Sequence, residues 1–101
     1  MLEMDFLFKN NTDKFRKKIE KIFEKCRPFS VEESGGNVKF TFGSEMMSWG
    51  NIWAAVWTLT ERSWFVRSVE GWEITVHEQG EGFSEDLLAY CRKNGKGKFL
   101  S

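Results

Sequence analysis

Hydrophobic and polar residues alternate at the start of the chain and then change to helical spacing. Met4, Phe6 and Phe8 are separated by single residues, which predicts a short strand. From Thr12 to Cys26 the apolar residues recur with the period of a helix that buries one face. That face consists of Phe15, Ile19, Ile22, Phe23 and Cys26. Pro28 ends the pattern, because proline cannot continue a helix.

After Pro28 the apolar residues recur with period two, and this pattern predicts two hairpins. The first hairpin joins Phe29 and Val31 to the alternating residues Val38, Phe40 and Phe42 across a glycine turn. The second hairpin has a two-residue turn at Glu70-Gly71, and its two strands cover Trp64–Val69 and Trp72–Glu78.

Between the two hairpins lies a stretch, Met46–Thr60, that contains no charged residue. It fits a helix that begins near Ser44 or Ser48, although Gly50 and several β-branched and aromatic residues have poor helix propensity. It also fits a strand over Glu45–Trp49, a Gly50-Asn51 turn and a strand over Ile52–Thr60. We favour the strands, because β-branched and aromatic residues dominate the stretch.

A short helix is predicted near the end of the chain, over residues 85–93. Ser84 can cap its first turn, Phe83 can pack on Leu88 as a hydrophobic staple, and Gly95 suits the position after its end. The remaining residues, 96–101, are basic and interrupted by glycine, so we expect a flexible tail.

These elements predict a single α+β domain over residues 1–95. A long N-terminal helix would pack across one face of an antiparallel, largely meandering sheet, with the short C-terminal helix at one end. The composition supports a folded core, because 41% of the 101 residues are hydrophobic and 16% are aromatic.

Tryptophan is the most unusual feature of the composition, with five in the chain. Trp49, Trp53 and Trp57 are four residues apart, so they share one face of either a strand or a helix. If they point inward they belong to the core. If they point outward they form an apolar patch of the kind that anchors protein interfaces. Its rim would consist of Glu45, Glu61, Glu70 and Glu73.

The charged residues balance to a formal net charge of zero, 15 basic against 15 acidic, so no general attraction to nucleic acid is expected. Basic residues nevertheless concentrate on the predicted N-terminal helix, where they could contact phosphates. This alternative nucleic-acid site consists of Arg16, Lys17, Lys18, Lys21 and Lys25, joined by Lys96 and Lys98 of the tail. Because Glu20 and Glu24 interrupt the basic face, we favour an ordinary solvated surface.

Catalytic and metal-binding chemistry find little support in the sequence. His77 is the only histidine, and we interpret it as a half-exposed strand residue rather than the partner of a Cys91 nucleophile. Cys26 and Cys91 are too few and too far apart for a metal site of closely spaced cysteines, and we predict two buried thiols. The uncharged stretch is shorter than a membrane-spanning helix. We therefore expect a cytoplasmic protein that is not an enzyme, with no cofactor, metal or membrane.

The function that we predict is a small protein-binding domain, such as an inhibitor, an immunity-type protein or a regulatory adaptor. It would use an acidic, tryptophan-rich sheet surface against a basic site of its partner. The proposed contact residues are Trp49, Trp53, Trp57, Glu45 and Glu61. Two alternatives remain, a nucleic-acid-binding regulator and a carrier of a small apolar ligand. Association into a homo-oligomer is also left open.

Overall fold

Five antiparallel strands form one sheet in the order β2-β3-β1-β4-β5 in the computed structural model, which describes residues 1–43, 49–78 and 81–99. The strands are β1 (Leu2–Phe8), β2 (Phe29–Ser34), β3 (Asn37–Phe42), β4 (Val69–Glu78) and β5 (Glu81–Asp86). The helices are α1 (Thr12–Ile22), α2 (Trp49–Thr60), α3 (Ser63–Ser68) and α4 (Leu87–Asn94). Two short 3-10 turns occupy Glu24–Cys26 and Gly97–Phe99. The predicted α+β class and antiparallel sheet are confirmed.

Strand β1 lies in the middle of the sheet because every second side chain is large and apolar. Leu2, Met4, Phe6 and Phe8 are buried, and β1 pairs with both β3 and β4. The sheet is therefore not a simple meander, since the first strand separates the β2-β3 hairpin from the β4-β5 hairpin.

The two faces of the sheet have different chemistry. The face toward the helices, here called the helical face, is filled by aromatic side chains such as Phe6, whose ring packs edge-on against Phe65 with the centroids 5.9 Å apart. Burying each such side chain contributes about 1.5–3 kcal/mol. The opposite or outer face carries Glu3, Asp5 and Glu73, which alternate along the strands with the buried residues. One face thus forms the core while the other meets water.

The predicted long N-terminal helix is wrong. The chain begins with β1, and α1 ends at Ile22, with Phe23 as its C-cap and Cys26 in a separate 3-10 turn. The strand predicted at Met4–Phe8 and the β2-β3 hairpin are confirmed. In the hairpin turn Gly35 has φ of +61°, a left-handed conformation that glycine adopts without steric cost.

The strands favoured for the tryptophan-rich stretch are wrong, because residues 49–60 form helix α2. Ile52, Val56 and Leu59 recur at helical spacing and are almost completely buried on the core. This burial outweighs the low helix propensities, which are a weak preference that tertiary packing can override. The first predicted strand, Glu45–Trp49, lies outside the described residues except for Trp49.

The second predicted hairpin is also wrong. The first of its strands is largely helix α3, and Val69–Glu78 is one continuous strand in which Glu70-Gly71 makes no turn. Gly71 lies where the two strands approach closely, since a Cβ atom there would be 3.1 Å from the Cβ atom of Leu7 in the neighbouring strand. Strand β4 instead forms its hairpin with β5, which the sequence did not predict.

The C-terminal helix is confirmed as α4, but its cap differs from the prediction. The side chain of Asp86, not Ser84, accepts a hydrogen bond of 2.9 Å from the backbone N–H of Ala89. Phe83 belongs to β5 and is 56% exposed, so it does not act as a staple on Leu88. Gly95 follows the helix with φ of +58°, as the sequence predicts.

Candidate functional site

The outward face of α2 contains no charged side chain. Its exposed residues are Trp49, Gly50, Asn51, Ala54 and Trp57, and Trp53 and Thr58 are half-buried beside them. A helix face that meets water normally carries charged or polar residues opposite its apolar stripe. Here the outward face is nearly as apolar as the inward one, which is typical of a surface that another molecule covers.

The three tryptophans of α2 share one face, as their spacing of four predicts, and their rings form a ladder. The ring centroids of Trp49 and Trp53 are 6.3 Å apart, and those of Trp53 and Trp57 are 5.8 Å apart. Neighbouring rings are inclined by only 21° and 22°. The two faces of Trp53 are therefore turned toward other indoles. The ring edges of the ladder remain for contact with a partner.

Helix α4 extends this ladder by one ring. The centroid of Tyr90 lies 6.4 Å from that of Trp57, and Tyr90 is 37% exposed. Trp49, Trp53, Trp57 and Tyr90 together form what we call the aromatic surface. A cavity of about 320 Å³ opens within it, lined by Trp53, Trp57, Glu85, Leu87 and Tyr90. The site thus combines residues of α2, α4 and the edge strand β5.

The C-terminal turn places a cation on this surface. The Nζ atom of Lys96 lies 5.4 Å from the ring centroid of Trp57, a cation–π contact. Gly97 makes this approach possible, because it has φ of +53° and a Cβ atom there would lie 2.5 Å from the carbonyl oxygen of Thr60. Phe99 of the same turn is buried in the core. Only glycine at residue 97 lets the chain pass so close to the end of α2.

Glu73 does not contribute to the predicted acidic rim around the tryptophans. Glu45 lies outside the described residues, and Glu61 is exposed just after the end of α2. Glu73 lies on the outer face of the sheet, whereas α2 packs on the helical face. The tryptophan-rich sheet surface of the sequence prediction is therefore wrong, because the tryptophans are on a helix and the acidic sheet face is on the opposite side of the molecule.

The acidic sheet face was not predicted, because strand pairing creates it. Asp5 lies opposite Glu73, and Glu73 lies opposite Asp86, so three carboxylates follow one another across β1, β4 and β5. Burial is the main cause that raises the pKa of Asp5, and the charges of Glu3 and Glu73 raise it further against the opposing effect of Lys39.

The basic residues of α1 are largely engaged within the molecule. Arg16 forms ion pairs with three carboxylates: Asp13 at 2.7 Å, Glu33 at 2.9 Å and Glu20. The hydrogen bond between Arg16 and Asp13 is the main cause that raises the pKa of Arg16 and lowers the pKa of Asp13. Lys17 pairs with Asp13 at 3.2 Å, and the ammonium group of Lys18 lies 5.0 Å from the ring centroid of Trp64. Lys21 and Lys25 are exposed. Three of the five predicted phosphate-binding cations thus already have partners.

Cys91 and His77 do not form a nucleophile pair, because they lie in different parts of the molecule. Cys91 is completely buried, and burial raises the pKa of its thiol to about 11. His77 lies on the outer face of the sheet, where its Nε2 atom is 3.3 Å from a carboxylate oxygen of Glu3. The prediction of two buried thiols is confirmed for Cys26 and Cys91, and both are free.

Metal-binding geometry is also lacking in the described part of the chain, where no group of three or more histidine, cysteine, aspartate and glutamate side chains is arranged to hold an ion. Within residues 1–43, 49–78 and 81–99, every helix falls short of the length and apolarity needed to cross a membrane. Comparison of the chain with protein-family models, with curated proteins and with solved structures gave no match in any of the three.

Proposed function

We propose that this protein is a non-enzymatic binding domain that recognises another protein through the aromatic surface. The observation that carries the proposal is the uncharged outward face of α2, on which Trp49 and Trp57 remain 38% and 37% exposed. Tryptophan and tyrosine supply a disproportionate share of the binding energy in protein interfaces, while charged residues are depleted at interface centres. An inhibitor or a regulatory adaptor in the cytoplasm is the role that we propose.

The ladder geometry favours a protein partner over single-stranded nucleic acid. Base stacking requires open aromatic faces along a basic groove. Here the faces of Trp53 are turned toward Trp49 and Trp57, and Lys96 lies over Trp57. The cations of Arg16 and Lys17 are paired with the carboxylate of Asp13 on α1, not on α2. Aromatic rings and unpaired positive charge therefore do not combine into one groove.

A carrier of small apolar ligands receives less support than a protein-binding domain. The space between the sheet and the helices is filled by aromatic side chains, for example Phe65 and Trp72, whose ring centroids are 4.9 Å apart. The cavity beside Trp53 is open at the surface, and its volume of about 320 Å³ lies at the small end of the range for ligand pockets. It suits one or two side chains of a partner.

The proposal can be tested by comparing matched variants in affinity purification from an extract of the cells that produce the protein. The double variant Trp49→Ala/Trp57→Ala removes the two most exposed indoles of the aromatic surface. The control Lys14→Ala/Lys17→Ala changes two exposed residues of α1. We expect a stoichiometric protein partner to be retained by the wild type and by the control, and to be lost from the tryptophan variant.

Circular dichroism should show that both variants keep the fold, so that loss of the partner reports on the surface. Equal retention by all three proteins would contradict the proposal. Co-purification of nucleic acid that only the lysine control loses would support the alternative site on α1 instead.

A further inference from the structure

Within residues 1–43, 49–78 and 81–99, the helical layer leaves Phe83 of the last strand largely exposed. Phe83 of β5 lies opposite Val76 of β4, so both side chains point to the helical face. Val76 is buried, yet Phe83 is 56% exposed. The cavity beside Trp53 begins at this uncovered border and includes Glu85 of the same strand. The apolar side chains of the helical face are therefore only partly covered where they border the aromatic surface.

Strand β5 is the last strand of the sheet among the described residues, and it directs backbone groups away from β4. The backbone of His77 exchanges hydrogen bonds of 2.8 and 3.1 Å with Met1, so His77 faces β1. Because backbone groups alternate in direction along an antiparallel strand, Ile74 and Val76 face β5 instead. Glu85 and Phe83, which pair with these two residues, therefore form their backbone hydrogen bonds with β4. The N–H and C=O groups of Gly82 and Ser84 point in the opposite direction, away from β4.

We propose that the partner protein adds an extended segment to β5 as a sixth strand of the sheet. This inference rests on the proposed function and specifies how the partner binds. Side chains on one side of the added strand would contact Phe83 and enter the cavity beside Trp53 and Trp57, while its backbone pairs with Gly82 and Ser84. Strand addition of this kind takes affinity from backbone hydrogen bonds and specificity from pockets for alternate side chains.

The charges around β5 indicate the chemistry of the added segment. Glu85 lines the cavity, and Asp86 continues the carboxylate row of Glu73 and Asp5 on the outer face. Lysine or arginine residues in the segment would complement these groups, since opposite charges on adjacent strands stabilise pairing. The expected segment therefore combines apolar residues toward the cavity with basic residues beside the carboxylates.

A second copy of the same chain fits this edge less well. Pairing two β5 strands would add the carboxylates of Glu85 and Asp86 from the second copy to an edge that is already acidic. Like charges directly opposite one another destabilise a strand pair. The acidic edge thus favours a basic partner over self-association.

The other edge of the sheet, strand β2, is less suited to strand addition in the described part of the chain. Strand β2 is tied to α1 by the ion pair between Arg16 and Glu33, and its inward residues Phe29 and Val31 are half-buried against the core. Glu32 of β2 is exposed and lies opposite Lys39. The edge beside the aromatic surface is the one that combines open backbone groups with an apolar cavity.

Strand addition can be tested with peptides from a random library displayed on phage. The library is selected against the immobilised protein. We expect enriched peptides that alternate apolar with lysine or arginine residues. When a synthetic copy binds, amide hydrogen exchange measured by NMR should slow at Gly82 and Ser84. Failure to enrich any peptide, or enriched peptides that leave these two amides unprotected, would overturn strand addition.

Two matched variants separate this inference from the proposed function. Ser84→Pro removes an outward N–H, whereas Ser84→Ala keeps it, and both lose the hydroxyl contact of 3.3 Å with Thr75. We expect Ser84→Pro to weaken peptide binding at least tenfold and Ser84→Ala to leave it unchanged. Trp57→Ala should also weaken binding at least tenfold, because it removes one wall of the cavity.

The outcomes distinguish the two ideas. If Trp57→Ala weakens binding but Ser84→Pro does not, the aromatic surface binds the peptide and strand addition is wrong. If neither variant changes binding, both are wrong. A peptide N-methylated at alternate residues gives the same test without altering the protein. One register of methylation should abolish binding and the other should preserve it, and equal effects of the two registers would overturn strand addition.

Discussion

Helices α1 and α2 pack on the same face of the sheet but meet the surroundings in opposite ways. On α1 the outward residues are charged, and Arg16 holds carboxylates of its own helix and of β2. On α2 the outward residues are tryptophan, glycine, asparagine, alanine and threonine. A charged face is the ordinary solution for a helix in water, because solvation and ion pairs keep it soluble. Helix α2 lacks such a charged face, and this difference makes it the candidate interaction surface.

The strongest test of this comparison is to truncate one buried and one exposed side chain of α2 in separate variants. Leu59 is completely buried, so Leu59→Ala should lower the free energy of unfolding by about 3 kcal/mol. Trp57 is 37% exposed, and Trp57→Ala should cost about 1 kcal/mol despite the larger side chain removed. Urea denaturation measures both. Equal losses would mean that Trp57 is a core residue and that α2 has no separate functional face.

The same contrast explains which helix the sequence could predict. On α1, lysine and glutamate alternate with Phe15 and Ile19 at helical spacing, so the periodicity is visible. On α2 the outward residues are nearly as apolar as the inward ones, so no contrast between polar and apolar positions distinguishes a helix from a strand. Only packing of Ile52, Val56 and Leu59 on the sheet decides the structure. The lack of charge that hides the helical periodicity is also the observation that supports the proposed function.

Sheet topology could be predicted only in part. The β2-β3 hairpin is local and has its own turn residues, whereas the central position of β1 depends on pairing with residues far along the chain. Glu70-Gly71 resembles a turn, but Gly71 serves close packing against Leu7. For the site, the shared face of the three tryptophans was predictable from their spacing. Tyr90 and Lys96 reach it only through tertiary contacts, which no local pattern reveals.

A new charge on α2 sharpens the comparison by separating binding from stability. Ala54 is exposed on the outward face, so Ala54→Lys should change the free energy of unfolding by no more than about 0.5 kcal/mol. The same change should weaken partner binding about tenfold or more, because the charge must be desolvated in the interface. Calorimetric titration with the purified partner measures the affinity. Unchanged affinity would place Ala54 outside the interface and restrict the contact to the tryptophan side of α2.

Removing the central cation of α1 should affect stability but not binding. Arg16→Met keeps much of the aliphatic stem and leaves Asp13, Glu20 and Glu33 without their shared cation. We expect a loss of about 1 kcal/mol in the free energy of unfolding, the upper range for a partly exposed ion-pair network. Lys14→Met, at an exposed position of the same helix, serves as the control and should change stability less. Reduced partner binding by Arg16→Met alone would show that the function extends to α1.

Acid titration provides the finest distinction between the two helices. Arg16 holds the pKa of Asp13 in the folded protein below its ordinary value of 3.8, so the unfolded chain takes up the proton first as the pH falls. The stabilising contribution of this contact is fully present above pH 3.8 and is lost as the pH falls through the lower, folded pKa. The stability difference between wild type and Arg16→Met should therefore narrow below about pH 4. Leu59→Ala changes no ionisable group, so the difference in the free energy of unfolding between wild type and this variant should stay constant with pH. Urea denaturation at pH 7, 5 and 3 measures both differences, and parallel narrowing of the two would show that the acid response does not arise from the ion pairs of α1.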